Sequence, residues 1–547
     1  MALAPEYLLI LMCAVALWRG VLATGDLDWP FDADIFRDIG NAQAILDGHF
    51  WADPAYRGEW RWYNPLVPAV VAGIAKVTDL PIHLLYTRSG AYLNLLAPLS
   101  FYLLVASLFG RWTATASTLA FLFVTSENLV PWSTATYSPW LFAQVFVQAL
   151  FYLTLAAYHR ARTTARLRWF VVTGALLGAT FLGHTAPALL LMGIIGLLTL
   201  GDLCGRPTRD GAWSAALRRH VGGEIVAMGL PALVVSLPFL ATIVGVYHLR
   251  VINTIPSHFI DDSLFLTVAR TFLRQEFVAL SSAVALCGLV NVACRRARPA
   301  RRGILLFWLG LCGAAVLYGY LWQFLQLRYA VEPPMVVPTF HFMFYLKALQ
   351  AVFFGYGLTG ISTLVVRSIT RLAPRSWLGE TGILWQPVLQ RFVLVGLLLV
   401  CFVRAYPTYS SRHEFTGAPE TAREVEKNFV VPAAFAWIRA RSQPTDVFLA
   451  SDKQALFLVT AAGRQVVVMN EYFSNPYVDW RPHEIDRTAM YRYLAIGKHE
   501  EFGALARKYG VTFVLASRKQ AEDIDWGSAA LLVKEAEIGD VVIYRLR

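Results

Sequence analysis

The sequence predicts a polytopic α-helical membrane protein with about eleven transmembrane helices and a C-terminal extracytoplasmic α/β domain. Hydrophobic residues make up 56% of the 547 residues and charged residues only 16%, whereas about a quarter of the residues in a soluble domain are charged. Apolar stretches of membrane-spanning length alternate with short basic stretches along most of the chain. After residue 405 this alternation stops, and charged helical and strand-like patterns replace it.

The apolar stretches set the predicted helix count, because roughly 20 apolar residues cross a bilayer as a helix. These stretches are 5–23, 83–108, 112–126, 138–158, 169–184, 186–202, 223–247, 276–294, 304–322, 339–366 and 391–405. The stretch 63–80 is short, begins with two prolines and ends in Lys76 and Asp79. It is therefore predicted to be an interfacial helix that lies on the outer side.

The basic stretches predict the orientation of the chain. They are 159–168, 205–220, 294–303 and 366–375, and Lys and Arg concentrate in cytoplasmic loops. This assignment places the N-terminus inside, residues 24–82 outside and everything after residue 405 outside, in a multi-pass protein of the plasma (inner) membrane. The first apolar stretch is preceded by Glu6 and by no Lys or Arg, which favours an uncleaved anchor over a signal peptide.

The net charge of +11 follows from these loops, so no nucleic-acid partner is expected. The six cysteines lie in or beside apolar stretches without a CxxC pair, as is typical of small buried side chains. Neither a disulfide framework nor a zinc site is therefore predicted.

Residues 406–547 are predicted to form a soluble α/β domain. Helical patterns occur in VPAAFAWIRARS, DKQALFLVTAAG, EIDRTAMYRYLAI and HEEFGALARKYG, and strand patterns in DVFLAS, RQVVVM, VTFVLAS, ALLVKEA and VVIYRL. The region lacks a Gly-rich phosphate loop and a nucleophile elbow. A lid or an acceptor-binding platform is the expected role.

An acid-rich loop follows the first apolar stretch. It reads GDLDWPFDADIFRDIGNAQAILDGHF over residues 25–50 and continues into WRWYNPL over 60–66. Carboxylates grouped at a membrane surface are costly unless they perform chemistry or hold an ion. The segment from Asp34 to Gly48 is therefore the main functional candidate.

This loop resembles the GT-C superfamily of integral-membrane glycosyltransferases, which use polyprenyl-phosphate or polyprenyl-diphosphate sugars. Members include oligosaccharyltransferase catalytic subunits and the aminoarabinose, protein-mannosyl and arabinosyl transferases. Asp34 through Gly48 is similar to the family's catalytic Asp and first outer helix, and Tyr63-Asn64-Pro65-Leu66 is similar to the start of the second. The resemblance implies a catalytic transmembrane module over 1–405, with 24–82 as its first extracytoplasmic loop, and a domain over 406–547.

The expected chemistry needs a base for the acceptor proton and cations for the departing phosphate. Asp34 is the first candidate for the base and Asp32 the second, although either could instead cap the helix that begins near Ile35. The candidates for binding the lipid phosphate and substrate are Arg328, His341, Lys347, His184, Glu127 and Tyr63. Lys347 lies inside an apolar stretch, so it could equally snorkel or pair with an acid.

Two further features of the outer loops bear on how the substrate is handled. The segment 248–275 is long enough to be a substrate-gating loop, or it is an interfacial helix. Diphosphate-using relatives hold a divalent metal with acids of a second outer loop, but that loop here, 126–140, offers only Glu127. This departure favours a monophosphate donor handled without a metal, and dependence on Mg or Mn stays open.

The predicted function is that of an inverting glycosyltransferase with an acceptor that is a glycan, a lipid or a protein. A secondary transporter or lipid flippase is the first alternative, although no inverted repeat of Gly/Pro-broken helices is present and the acids cluster outside the membrane. A non-catalytic envelope-assembly protein of the same fold is the second.

The orientation predicts which single-cysteine positions are reached by an impermeant label in intact cells. Positions near 40, 260, 330 and 450–547 should be labelled from outside, and positions near 163, 212, 298 and 372 only after lysis. Labelling of 450–547 only after lysis would contradict the scheme, because the number of spans before it would then be even.

Overall fold

A computed structural model describes residues 4–124, 136–204, 220–255, 280–294, 299–335, 337–372, 382–523 and 531–547. Up to residue 410 the described chain is almost entirely helical. The helices are α1 (Pro5–Thr24), α2 (Ala33–Leu46), α3 (Leu66–Thr78), α4 (Ile82–Arg88), α5 (Gly90–Leu93), α6 (Leu96–Phe109), α7 (Arg111–Phe123), α8 (Ala143–Thr164), α9 (Leu167–Gly183), α10 (Thr185–Cys204), α11 (Ala227–Leu240), α12 (Leu280–Cys294), α13 (Pro299–Tyr329), α14 (His341–Leu372) and α15 (Gly382–Ser410).

Six helical segments in the described part of the chain are long and apolar enough to cross a membrane. They are Pro5–Thr24, Gly90–Phe109, Gly223–Val246, Arg301–Tyr329, His341–Leu372 and Trp385–Ser410. The pair α3 and α4 adds a seventh if it is one broken span, and its two helices meet at 114°. Each of the eleven predicted stretches overlaps at least one helix, so the helical membrane fold is confirmed, while the count of eleven spans stays a prediction.

The C-terminal region contains the predicted mixture of helices and strands. Its longer helices are α16 (Gly417–Val425), α17 (Pro432–Arg441), α18 (Trp480–Ala495), α19 (His499–Tyr509) and α20 (Arg518–Asp523). Its strands are β1 (Val447–Leu449), β2 (Gln465–Val466), β3 (Val511–Ser517), β4 (Leu532–Ile538) and β5 (Val541–Leu546). They form one sheet in the order β2-β1-β3-β5-β4, in which β2, β1 and β3 are parallel and β5 is antiparallel to both of its neighbours.

Alternate residues of the central strands face two different cores. Phe448, Phe513 and Leu515 belong to the apolar core that continues into the helical part of the chain. Val447 and Val514 belong to a smaller core with α18 and α19. A sheet covered on both faces needs apolar residues on both sides of each strand, which explains why VFL and VTFVLA are nearly continuous apolar runs.

The acid-rich loop is clamped between the helices and the C-terminal region. Asp47, at the end of α2, pairs with Arg439 at 2.7 Å and with Arg464 at 3.4 Å. The buried Asp53 carboxylate accepts hydrogen bonds from the Ala55 and Tyr56 backbone amides and from the Asn475 side chain.

The approach of α2 to the C-terminal region requires a glycine at position 40. A Cβ added to Gly40 would lie 2.7 Å from the Thr460 carbonyl oxygen. The loop that carries Asp34 is therefore positioned by residues far away in the sequence.

Removing the Asp47 charge should destabilise the protein more than removing an exposed acid. Asp47 is 14% exposed and its partner Arg464 is 4% exposed, so Asp47→Asn strips two cations of their counter-charge and should cost about 2–3 kcal/mol. Asp26→Asn is the matched control, because the Asp26–Arg423 pair is more than half exposed and such pairs contribute under about 1 kcal/mol. Thermal unfolding in detergent measures both changes, and equal shifts for the two variants would refute the clamp.

Candidate functional site

Asp32 caps the N-terminus of α2 and thereby positions Asp34. The Asp32 carboxylate accepts a hydrogen bond from the Asp34 amide at 2.9 Å, and the Asp32 carbonyl accepts from the Ile35 and Phe36 amides. Asp is a favoured residue at this position because its side chain satisfies an unpaired helix amide. Of the two candidate acids, Asp32 is therefore the one whose side chain caps the helix. Asp34 lies in the first turn with a half-exposed side chain.

Arg37 joins the acids of α2 to Tyr63. Its guanidinium donates to Asp34 Oδ1 at 2.7 Å and to Asp38 Oδ1 at 3.0 and 3.1 Å. It also donates to the Tyr63 hydroxyl at 2.7 Å and lies over the Tyr63 ring. The Arg37 side chain is only 12% exposed. One mostly buried cation thus balances two carboxylates and fixes the orientation of both.

Burial makes the charge of this group sensitive to pH. It raises the pKa of Asp32 to about 7, with the neighbouring charge of Asp34 adding to the rise. It also raises the pKa of Asp38 to about 6, although the charge of Arg37 opposes the rise. Burial works against the charge of Arg37 itself, but Tyr63 and the two acids raise its pKa overall, so it stays charged.

Two histidines from different parts of the chain complete the group. The rings of His184, between α9 and α10, and His341, at the start of α14, lie 4.6 Å apart. His184 Nδ1 accepts from the Ala186 amide, whereas His341 Nδ1 lies 2.8 Å from the Pro338 carbonyl and donates to it. The uncharged tautomers consequently carry a proton on His184 Nε2 and a lone pair on His341 Nε2.

The histidines and the acids lie within electrostatic reach of each other. The charge of Arg37 acts on His184, and that of Asp34 acts on His341. Asn64 ties Tyr63 to the His184 turn, because its side-chain amide donates to the Phe181 carbonyl at 2.6 Å. Asp34, Arg37, Asp38, Tyr63, His184 and His341 together are called the Asp34 group below.

The remaining predicted site residues lie elsewhere. Lys347 is buried among helices, where its ammonium donates to Gln350 at 3.0 Å and Gln350 donates to Ser282 at 2.9 Å. Arg328 is exposed near the end of α13. Glu127 and residues 256–275 of the predicted gating loop fall outside the described residues.

Three residues of this region were not singled out from the sequence. Arg37 and Asp38 follow Asp34 on an amphipathic helix, and an Asp–Arg spacing of three residues is a signal for a helical ion pair. Tyr86 in α4 is fully buried near Asp38 and Arg37, and its hydroxyl has no hydrogen-bond partner among the described residues. Nothing in the local sequence pattern distinguishes Tyr86 from a core aromatic residue.

The described residues do not fit a metal site. Within them, no three His, Cys, Asp or Glu side chains are grouped in a way that could hold an ion. Asp34 and Asp38 share Arg37 as their counter-charge.

Comparison with known proteins identifies the fold. No protein-family model matches the chain, and no curated protein matches its sequence. ArnT from Cupriavidus metallidurans matches in the apo state with a TM-score of 0.56 and 14% identity, and bound to undecaprenyl phosphate with 0.56 and 13%. Each match covers 98% of this chain and 97% of ArnT.

A second protein gives the same result. The archaeal oligosaccharyltransferase AglB from Archaeoglobus fulgidus, in complex with an inhibitory peptide and a dolichol-phosphate, matches with a TM-score of 0.51 and 12% identity. That match covers 94% of this chain and 69% of AglB. Both neighbours are GT-C glycosyltransferases, so the chain has the GT-C fold that the resemblance of the first loop implied.

The raised pKa of Asp32 predicts a pH-dependent stability. An acid whose folded pKa of about 7 exceeds its unfolded value of about 3.9 binds more protons in the folded state. Its contribution is therefore fully present below pH 4 and is lost as the pH rises toward 7. Asp32→Asn keeps a capping side chain and should flatten this fall in the thermal midpoint between pH 4 and 7. Parallel curves for the variant and the wild type would contradict the assignment.

Proposed function

We propose that this chain is an inverting glycosyltransferase that moves a sugar from a polyprenyl-phosphate donor to an extracytoplasmic glycan, lipid or protein. The observation that carries the proposal is the half-exposed Asp34 carboxylate, held by Arg37 beside two histidines in a chain with the GT-C fold. An exposed acid with one fixed oxygen is suited to accept a proton from a bound hydroxyl.

In the proposed reaction Asp34 is the general base. Arg37 holds Asp34 Oδ1, which leaves Oδ2 to receive the proton of the acceptor hydroxyl. The acceptor oxygen then forms a bond to the anomeric carbon while the bond from that carbon to the phosphate oxygen breaks. The electron pair leaves with the polyprenyl phosphate, which needs no proton, and a single displacement inverts the anomeric centre.

Asp32 stays the second candidate for the base. Its raised pKa of about 7 suits a base at neutral pH, but its Oδ1 already accepts the Asp34 amide. The geometry thus favours Asp34 as the base. The turnover of Asp34→Asn and Asp32→Asn distinguishes the base from the helix cap.

His184 and His341 are proposed to hold the lipid phosphate. Solved neighbours carry the corresponding ligands, since ArnT is bound to undecaprenyl phosphate and AglB to a dolichol-phosphate. His184 offers an Nε2–H donor, and protonation of His341 on binding would supply a second donor with charge assistance. Tyr63 would then contribute through Arg37, and Lys347 and Arg328 are the further cations proposed for this phosphate.

The remaining assignments follow from the predicted orientation. Residues 1–405 are proposed as the catalytic module and 406–547 as an extracytoplasmic domain that supports the first loop, in the plasma (inner) membrane. Dependence on Mg or Mn is tested by chelation with EDTA followed by re-addition of each ion.

A transporter or flippase would move the donor lipid intact, whereas a transferase separates sugar from phosphate. Mass spectrometry of lipids that co-purify with the protein, followed by the same measurement after incubation with acceptor membranes, distinguishes the two. Conversion of the lipid-linked sugar to free polyprenyl phosphate supports transfer, and recovery of the unchanged donor supports transport.

Asp34→Asn should preserve folding and donor binding but lower turnover by about two orders of magnitude or more, as expected for loss of a positioned base. Asp32→Asn is the matched control, because Asn retains the helix cap. Near-normal turnover in Asp34→Asn with loss in Asp32→Asn would move the base to Asp32. Normal turnover in both would remove the loop from the chemistry.

His341→Gln should weaken donor binding by roughly ten- to a hundredfold, the range for losing a hydrogen bond to a charged group. Lys347→Met and Arg328→Gln test the other two cations in the same equilibrium binding assay. If a variant binds the donor normally, the residue that it replaces is not part of the phosphate site. Arg518→Ala, an exposed residue of the C-terminal sheet region, should leave binding unchanged.

A further inference from the structure

A cavity lies between the first loop and the C-terminal region. It has a volume of about 270 Å³, and its walls include Tyr56, Arg57, His483, Lys508 and Tyr509. None of these residues belongs to the Asp34 group. The cavity is nevertheless built on the same loop, because the chain passes from Arg57 to Tyr63 within a few residues.

One wall of this cavity is aromatic. The His483 ring lies 5.3 Å from that of Tyr56 and 5.1 Å from that of Tyr509. Hydrogen bonds hold all three rings, since Tyr56 bonds to Ser474, Tyr509 donates to Asp486, and His483 Nδ1 lies 2.9 Å from the Asp479 carbonyl. The wall is therefore fixed before any ligand arrives, which lowers the entropy lost on binding.

Two cations border the cavity, and they differ in whether they form an ion pair. Lys508 is paired with Asp486 at 2.6 Å. Arg57 is exposed and has no ion pair among the described residues. Its guanidinium packs against Gly510, where φ is +67° and an added Cβ would lie 1.6 Å from Arg57 Nη1.

The acid that lines the cavity is hydrogen-bonded to another residue. Glu59 also lines the cavity, but its carboxylate accepts a hydrogen bond from the Tyr247 hydroxyl at 3.0 Å. That hydroxyl belongs to a network with Trp60 and Asn475. In the described part of the chain, Arg57 is thus the cation of the cavity that forms no ion pair.

We propose that this cavity binds the anionic group, phosphate or carboxylate, of an acceptor sugar. A guanidinium donates two parallel hydrogen bonds to either anion, and a fixed aromatic wall is common in small-molecule sites. The choice of a sugar rests on the proposed transfer reaction. The choice of an anion rests on Arg57 and Lys508 alone.

The test is equilibrium binding to the full chain in detergent, followed by ligand-observed NMR. Glucose 6-phosphate and glucuronate are the anionic probes, and glucose is the neutral match. At least one anionic probe should bind more tightly than glucose, and the stronger of the two identifies phosphate or carboxylate. Arg57→Gln and Lys508→Gln should each weaken that probe by about tenfold, while Lys519→Gln, an exposed lysine of α20, should leave it unchanged.

Equal binding of glucose and both anions would overturn the inference, as would wild-type affinity in both Arg57→Gln and Lys508→Gln. Asp34→Asn separates this inference from the proposed function, because it should bind the probe normally without turnover. If the wild-type protein binds an anionic probe selectively but transfers no sugar, the proposed transferase function is refuted and the anion site stands. If it transfers sugar but does not bind an anionic probe selectively, the anion site is refuted and the transferase function stands.

Discussion

The Arg37 guanidinium is the interaction on which the candidate site depends. It contacts Asp34, Asp38 and Tyr63 at once, and it is nearly buried. Carboxylates taken out of water without a counter-charge would neutralise themselves by binding protons. Asp38 shows part of this effect, since burial raises its pKa to about 6 even beside Arg37. The arrangement keeps Asp34 oriented at the surface while the balancing charges lie beneath it.

A second constraint is that residues of the C-terminal region hold the loop that carries Asp34. Asp47 is paired with two arginines, and Asp53 accepts three hydrogen bonds, one of them from Asn475. Gly40 permits α2 to approach the backbone at Thr460. The C-terminal region therefore shapes the site without supplying a residue to the Asp34 group. This arrangement agrees with a supporting role for residues 406–547 rather than a catalytic one.

The sequence was informative where local pattern determines structure. Apolar length predicted the positions of the helices, and the Asp-Ala-Asp step indicated that Asp32 or Asp34 could cap the helix that begins near Ile35. In each case the governing physics acts between residues close in the chain, either through bilayer thickness or through helix capping.

The sequence was less informative where distant segments meet. Lys347 was chosen because a cation in an apolar stretch is costly, but that cost does not indicate which neighbours relieve it. Arg328 was chosen as a cation of the predicted outer side. Lys347 contacts Gln350 in the bundle, whereas His184 and His341 come together near Asp34. The clamp on Asp47 and the order of the sheet likewise depend on long-range pairing that no local pattern encodes. The number of helices that cross the membrane depends on the bilayer as well as the fold.

The account is tested most directly by supplying purified protein and acceptor membranes with a panel of radiolabelled polyprenyl-phosphate sugars. It predicts that label from at least one donor enters the acceptor with inverted anomeric configuration and with stoichiometric release of polyprenyl phosphate. The same label should remain on the lipid with Asp34→Asn. Lipid-linked sugar that stays intact across the whole panel, or transfer that is undiminished in Asp34→Asn, would contradict the central claim.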